Sequence, residues 1–470
     1  MEAMRISEVL EAVKGRLLGD FQDLDATISA VDIDSRKIHP GSLFVPLVGE
    51  RFDGHSFITD SLNAGAAGCF TARERDSYLP GKFYLKVDST QKALRDLAER
   101  YKSRFPIPFV SVTGSVGKTT TKEMVAAVLG ERLKVLKTAG NFNSSVGLPL
   151  TLLRLESGHQ AAVLEMGMNQ AGEIEYLSRL VKPDIALITN IGDSHIENLG
   201  SRENILKAKS EIFIGMQEGG TAVLNGDDPL LRSLEGRLNS LDVVWCGEGE
   251  NCDYRAVDVD ESHSDHIECT IRTPRGSFRC EIPGLGRHML YPVLMAAAVG
   301  ERFGLSHEEI AQGVLHFAPT KMRMNILHRG ADITILDDTY NANPQSMRAA
   351  VEVLSKSKGH PRIAVLGDMF ELGALAPTLH AGVGDFLARS GVEYLVAVGR
   401  LARHIYDAAK GSLEERAYCC ADKEEAREVL RLLVRPGCTV LLKASRGMAF
   451  EELTEYVKGL TTEAQPDGAR

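Results

Sequence analysis

At 470 residues the chain is too long for one hydrophobic core, and three domains are expected. Its 44% hydrophobic and 25% charged residues are ordinary for a folded protein and argue against disorder. A net charge of -10 excludes a general nucleic-acid binder, which needs a basic surface, so a site for an anionic substrate must supply its own cations.

After Met1-Glu2-Ala3-Met4-Arg5 there is no apolar core of a secretory signal. Residues 91–104 carry a charged helical pattern that Pro106 and Pro108 stop, which places a domain boundary after residue 105. From residue 109 the pattern becomes strand, glycine turn and helix, with an apolar run at 109–112 and helical periodicity over 118–129. Further buried-strand runs at 161–164, 185–189 and 221–224 alternate with helical stretches, which predicts a parallel sheet with helices on both faces. Short alternating segments at 254–259, 266–272 and 277–282, with a Thr273-Pro274-Arg275-Gly276 turn, predict a small antiparallel appendage. The longest apolar stretch, 290–299, falls short of the ~20 residues that span a bilayer. A second boundary falls near Ala318-Pro319, after which α/β alternation restarts in a Rossmann-like pattern at 333–336, 363–366, 394–398 and 439–442. The polar tail 461–470 is expected to fray. The fold class is thus α/β in three domains, 1–105, 106–318 and 319–470. None of the eight cysteines forms a Cys-x-x-Cys pair or alternates with His at zinc spacing, so reduced thiols in a cytoplasmic protein are expected.

The chemistry concentrates after the strand at 109. Gly114-Ser115-Val116-Gly117-Lys118-Thr119-Thr120 is a shortened phosphate-binding loop, because the G-x-x-x-x-G-K-[ST] spacing would put its first glycine at Val112. The physics survives the shortening: glycines turn backbone N–H groups toward phosphate, Lys118 supplies a cation, Thr119 can reach Mg²⁺, and the helix that follows offers its positive end. Glu165 closes one apolar run and His195 follows another, at the carboxyl ends of strands where α/β sites gather. Each could equally be a strand-end polar residue or a satisfied core histidine. Beside a Mg-ATP loop, both suit metal ligation.

Residues 113–120, Glu165-Met166-Gly167-Met168, Thr189-Asn190-Ile191-Gly192 with His195, and 205–213 together resemble the Mur ligase family, over essentially the whole chain. The resemblance implies ATP-dependent ligases that extend the cytoplasmic precursor of bacterial peptidoglycan. It implies that Lys209 is carbamylated by CO₂ and that Thr119, Glu165, His195 and this carbamate hold two Mg²⁺ ions; read without it, Lys207 and Lys209 are two solvated helix lysines. The run Tyr340-Asn341-Ala342-Asn343-Pro344-Gln345-Ser346-Met347 is similar to that of the member joining D-alanyl-D-alanine to UDP-N-acetylmuramoyl-tripeptide, supported by 366–373 with His380 and by 443–448. Asp338 and Asn341 then contact nucleotide, and Asn343, Ser346, Lys443, Ser445 and Arg446 contact substrate, although Asn343-Pro344 also reads as a plain turn. In the first domain, 34–37, 41–47 and 49–55 resemble the family's uridine-diphosphate-binding unit, with Ser35 and Arg36 as contacts. Asn141 and Asn143 match a substrate loop in which Ser144 replaces a frequent Asn.

Two further departures bear on ATP. Pro292 stands where the family usually has an Asn for adenine, which leaves backbone groups or Asn225 and Asp228 to recognise the base. Arg323 matches a phosphate-contacting arginine, with Met322 in place of a common Gly. The resemblance implies transfer of the ATP γ-phosphate to the tripeptide carboxylate by Lys118, Arg323 and the metal ligands, attack on the acyl phosphate by the dipeptide amine, and hinge closure about 318–320 in a monomer. The third tripeptide residue, lysine or diaminopimelate, stays open. A sibling ligase for a single amino acid or folate, and a silent nucleotide-binding sensor, are the competing readings.

Overall fold

The computed structural model describes residues 1–49, 52–329 and 333–460. The tail at 461–470, and Glu50 and Arg51 of the 49–55 run, lie outside the described residues. The strand runs form a mixed α/β fold with three main sheets. The largest has nine strands in the spatial order Gly276–Pro283, His266–Thr273, Tyr254–Asp260, Asp242–Gly247, Thr221–Asn225, Ile185–Ile188, Phe109–Thr113, Ala161–Glu165 and Val135–Lys137. Every pairing from Val135–Lys137 to Tyr254–Asp260 is parallel. The last two pairings are antiparallel, so the small antiparallel region expected from the sequence continues this sheet from its edge.

Phe109–Thr113, Ala161–Glu165, Ile185–Ile188 and Thr221–Asn225 are buried at every residue, as parallel strands covered on both faces must be. Helix Leu290–Arg302, the longest apolar stretch, is buried from Pro292 through Gly300 and packs on helix Lys118–Gly130. Each fully buried Leu or Val there contributes ~1.5–3 kcal/mol. No described helix is long and apolar enough to cross a membrane.

Strand order reverses around Phe109–Thr113: the chain adds Val135–Lys137 and Ala161–Glu165 on one side, then Ile185–Ile188 and its successors on the other. The carboxyl ends of these strands therefore open onto one crevice. Gly114 makes the crevice close-fitting, since its φ of 147° and a Cβ that would fall 1.8 Å from Thr189 Oγ1 leave room only for glycine.

The first sheet has five strands, Arg16–Leu18, Phe83–Lys86, Gly68–Thr71, Leu43–Phe44 and Val31–Asp32 in spatial order. Helix Thr90–Lys102 docks it on the central unit: Tyr101 Oη accepts from Glu2 N at 2.7 Å and donates to Leu155 O at 2.7 Å. The third sheet has six strands, with Asn325–Arg329 antiparallel at one edge, then Ile333–Asp337, Thr439–Lys443, Arg362–Gly367, Tyr394–Val398 and Ala417–Cys420 all parallel.

Candidate active site

The phosphate loop runs from the strand end at Thr113 to Gly117, whose φ of 82° caps helix Lys118–Gly130. That helix start leaves first-turn N–H groups without carbonyl partners of their own. Asn190, from the neighbouring strand end, clamps the loop: its carbonyl accepts from Ser115 N at 3.0 Å, its Oδ1 accepts from Val116 N at 2.9 Å, and its Nδ2 donates to Val116 O at 3.0 Å. Lys118 Nζ folds back onto Gly114 O at 2.7 Å.

Directly behind the loop, Lys209 Nζ donates to the same Gly114 carbonyl at 2.9 Å. Lys209 is 1% exposed and has no carboxylate partner among the described residues. Burial, with the Lys118 charge adding to it, pushes its amine well below the ordinary lysine range. Thr119 Oγ1 donates to Glu165 Oε2 and Asn143 Nδ2 to Glu165 Oε1, each at 2.9 Å, so a buried carboxylate lies against the loop with both oxygens oriented. Read without the family resemblance, Lys209 is a solvated helix lysine; helix Arg202–Ser210 instead turns it inward.

The loop forms one wall of a cleft of about 940 Å³. The other wall comes from the third sheet and its loops, including Asp338, Asn341, Asn343, Ser346, Ser445 and Arg446. Lys443, 2% exposed, donates to Asp338 Oδ2 at 2.5 Å and to Asn341 O at 3.0 Å. Asn343 and Ser346 form a reciprocal cap on helix Pro344–Lys356: Asn343 Oδ1 accepts from Ser346 N at 2.8 Å and Ser346 Oγ accepts from Asn343 N at 3.1 Å. The turn-like reading of Asn343-Pro344 thus has a physical basis in a helix start with proline at its first position. Arg323 lies with its guanidinium 4.1 Å from the Tyr340 ring centroid. Met322 and Met324 on either side adopt φ of 64° and 50°. A glycine would take the first of these without strain, which accounts for the departure at Met322 costing ~1 kcal/mol.

Several contacts join the walls, among them a hydrogen bond from Glu197 N to Glu371 O at 3.3 Å. Asn343 Nδ2 donates to Ser194 Oγ at 2.9 Å. His195 Nδ1 comes within 2.6 Å of Glu371 Oε2, out of line for a hydrogen bond, and the His195 contact holds the Glu371 carboxyl below its usual range. Both residues sit at φ of 62°, so the two loops meet at their tightest turns.

Asn141, Asn225 and Asp228 also line the cleft. Asn225 is spent on Thr189 O and Asp227 N, and Asp228 accepts from Ile191 N and caps the helix at Pro229, so both hold loops in place. Pro292 lines the cleft in the first turn of its helix, where a missing N–H leaves no bond unmade. Ser35 and Arg36 stand apart from the cleft, on a turn where Arg36 makes a two-point pair with Asp34. Sequence reasoning gave Asn190 and Glu371 no role of their own, although both lie in runs that carry the resemblance. Asn190 had a signal in its place two residues beyond a buried strand, whereas Glu371 acts only through docking of the walls.

Comparison with known proteins follows the same three units. A Mur ligase family domain matches residues 27–102, the Mur ligase middle domain matches 112–300, and the Mur ligase glutamate ligase domain matches 322–446. The chain is 38% identical to UDP-N-acetylmuramoyl-tripeptide--D-alanyl-D-alanine ligase of Bacillus subtilis, over 96% of this chain and 97% of that one. The fold superposes on MurF from Acinetobacter baumannii with a TM-score of 0.91 at 31% identity, covering 98% and 99% of the two chains. MurF ligase from Thermotoga maritima in complex with ADP gives 0.82 at 28% identity, over 92% and 98%.

Proposed function

Because the chain belongs to the Mur ligase family, we propose that its cleft joins D-alanyl-D-alanine to UDP-N-acetylmuramoyl-tripeptide at the expense of ATP, giving the pentapeptide precursor of peptidoglycan. One observation carries the reading: a single cleft has the phosphate loop and Glu165 on one wall and the 338–346 run on the other, with Lys209 buried behind the loop against the Gly114 carbonyl.

A carboxylate does not acylate an amine at neutral pH, because oxide is a very poor leaving group. Phosphorylating it makes that oxygen part of a phosphate. Lys118 leaves the Gly114 carbonyl for the transferring phosphoryl group, the first-turn N–H groups from Lys118 onward bind phosphate oxygens, and Arg323 meets the charge from the opposite wall. The amine of D-alanyl-D-alanine attacks the acyl carbon, the bond to the bridging oxygen breaks, and phosphate departs with ADP left on the loop. No covalent bond to the enzyme is needed.

The donor set fits Mg²⁺. Thr119 Oγ1 and Glu165 Oε2 lie 2.9 Å apart as adjacent oxygen ligands, and Nδ1 of His195 facing Glu371 leaves Nε2 for a metal. Lys209 fits carbamylation: burial pushes this amine, which has no carboxylate partner among the described residues, well below the ordinary lysine range and favours the neutral form, whose lone pair can take up CO₂ with loss of one proton and present two oxygens in place of one nitrogen. Bound Mg²⁺, at two sites, would offset phosphate charge. The base packs against the apolar surface around Leu285 and Pro292. Residues 1–105, with Ser35 and Arg36, hold the uridine diphosphate; 106–318 hold ATP; and 319–470 hold the dipeptide through Asn343, Ser346, Lys443, Ser445 and Arg446. Asn141 and Asn143 guide the tripeptide toward Glu165. The enzyme works as a cytoplasmic monomer that closes about 318–320.

Phosphate release measured with each substrate omitted tests this. Release requires both UDP-N-acetylmuramoyl-tripeptide and D-alanyl-D-alanine, and single amino acids replace the dipeptide poorly. Equal release with a single amino acid would point to a sibling ligase instead.

A further inference from the structure

The hairpin between Tyr254–Asp260 and His266–Thr273 gathers ligating side chains outside the cleft. One nitrogen each from His263 and His266 and one oxygen of Glu268 lie within 4.8 Å of one another. The rings stack with centroids 4.1 Å apart, and both Nε2 atoms stand 3.8 Å from Glu268 Oε1. Asp260 Oδ2 is 3.7 Å from His263 Nε2.

The sequence produces this convergence through strand geometry. His266 and Glu268 are two apart on one strand and so share a face. Asp260 is the register partner of Glu268 and shares that face too. His263 reaches it from the turn. Asp265 Oδ1 lies 2.8 Å from His266 Nδ1, which fixes the proton there and leaves the Nε2 lone pair directed at Glu268.

We propose that this hairpin binds a transition-metal dication of the zinc class through His263 Nε2, His266 Nε2 and Glu268 Oε1, with Asp260 as the fourth ligand. Two imidazoles select such an ion over Mg²⁺, which demands an all-oxygen octahedron. Zinc–nitrogen bonds of ~2.0–2.1 Å place tetrahedral ligand atoms ~3.4 Å apart, so the donors of His263, His266 and Glu268, all within 4.8 Å of one another, need to close by at most about 1.4 Å. His263, His266 and Glu268 are all half-buried, which leaves a path for the ion. No member of the cluster lines the ATP cleft, so the site is separable from the ligase reaction.

The test titrates Zn²⁺ into the metal-stripped full chain in excess Mg²⁺, against a chromophoric chelator that reports free zinc. The wild type binds Zn²⁺ at one competitive site that Mg²⁺ does not displace. His263→Gln/His266→Gln weakens binding at least ~100-fold and Asp265→Asn about tenfold, with thermal midpoints in the absence of zinc unchanged. Wild-type affinity in the double variant, or no Zn²⁺ binding by the wild type, overturns the proposal.

Discussion

On the central wall of the cleft, polar groups have fewer partners than they can use, whereas on the C-terminal wall they satisfy one another. Lys118 and Lys209 share the Gly114 carbonyl, and the helix start behind the loop offers unspent N–H groups. Across the cleft, Lys443 has a carboxylate and a carbonyl, and Asn343 and Ser346 cap each other. On the proposed reading the central wall supplies most of the phosphate contacts, with Arg323 across the cleft, while the opposite wall adds the dipeptide contacts and the closing contacts to Ser194 and His195.

The contrast breaks first at Lys209. Lys209→Ala lowers turnover by ~10³-fold in a phosphate-release assay while nucleotide binding persists, since the lysine lies behind the loop. Parallel loss of binding would assign Lys209 to the scaffold. Lys443→Met comes next. It leaves Asp338 without its ammonium partner and destabilises the third unit by ~3 kcal/mol in thermal unfolding. A change near zero would show that the C-terminal wall is not self-satisfied.

The smallest effect sharpens the comparison through pH. His380 is fully buried, its Nδ1 donates to Ala376 O at 2.7 Å, and its Nε2 accepts from Met369 N at 2.9 Å, which supports the loop to Glu371. Burial holds its pKa below the ordinary histidine value, so the folded ring is neutral. The stability it contributes is fully present above about pH 6.5 and is lost as pH falls toward the folded value, by up to ~1.4 kcal/mol per pH unit. Urea unfolding across this window shows the slope in wild type and its absence in His380→Gln; an unchanged slope would assign it to other groups.

Much of this was legible because backbone demands leave marks in sequence. Gly114 and Gly117 occupy positive φ, and the runs that became central strands are apolar throughout because both faces are covered. Asp242–Gly247 sits inside the same sheet yet escaped notice, since its apolar core is short and bordered by polar turns. The orientation of Lys209 was invisible in a helix of mixed charge. Glu371 was illegible for another reason: its role needs a left-handed turn without glycine and a partner, His195, on another sheet's loops.

The central claim, amide ligation through an acyl phosphate formed in this cleft, is tested most directly by oxygen transfer. UDP-N-acetylmuramoyl-tripeptide carrying ¹⁸O in its terminal carboxylate is turned over with ATP and D-alanyl-D-alanine, and the released phosphate is analysed by mass. Phosphorylation of the carboxylate predicts one ¹⁸O in each phosphate formed. Unlabelled phosphate, released at the rate of amide formation, would contradict it.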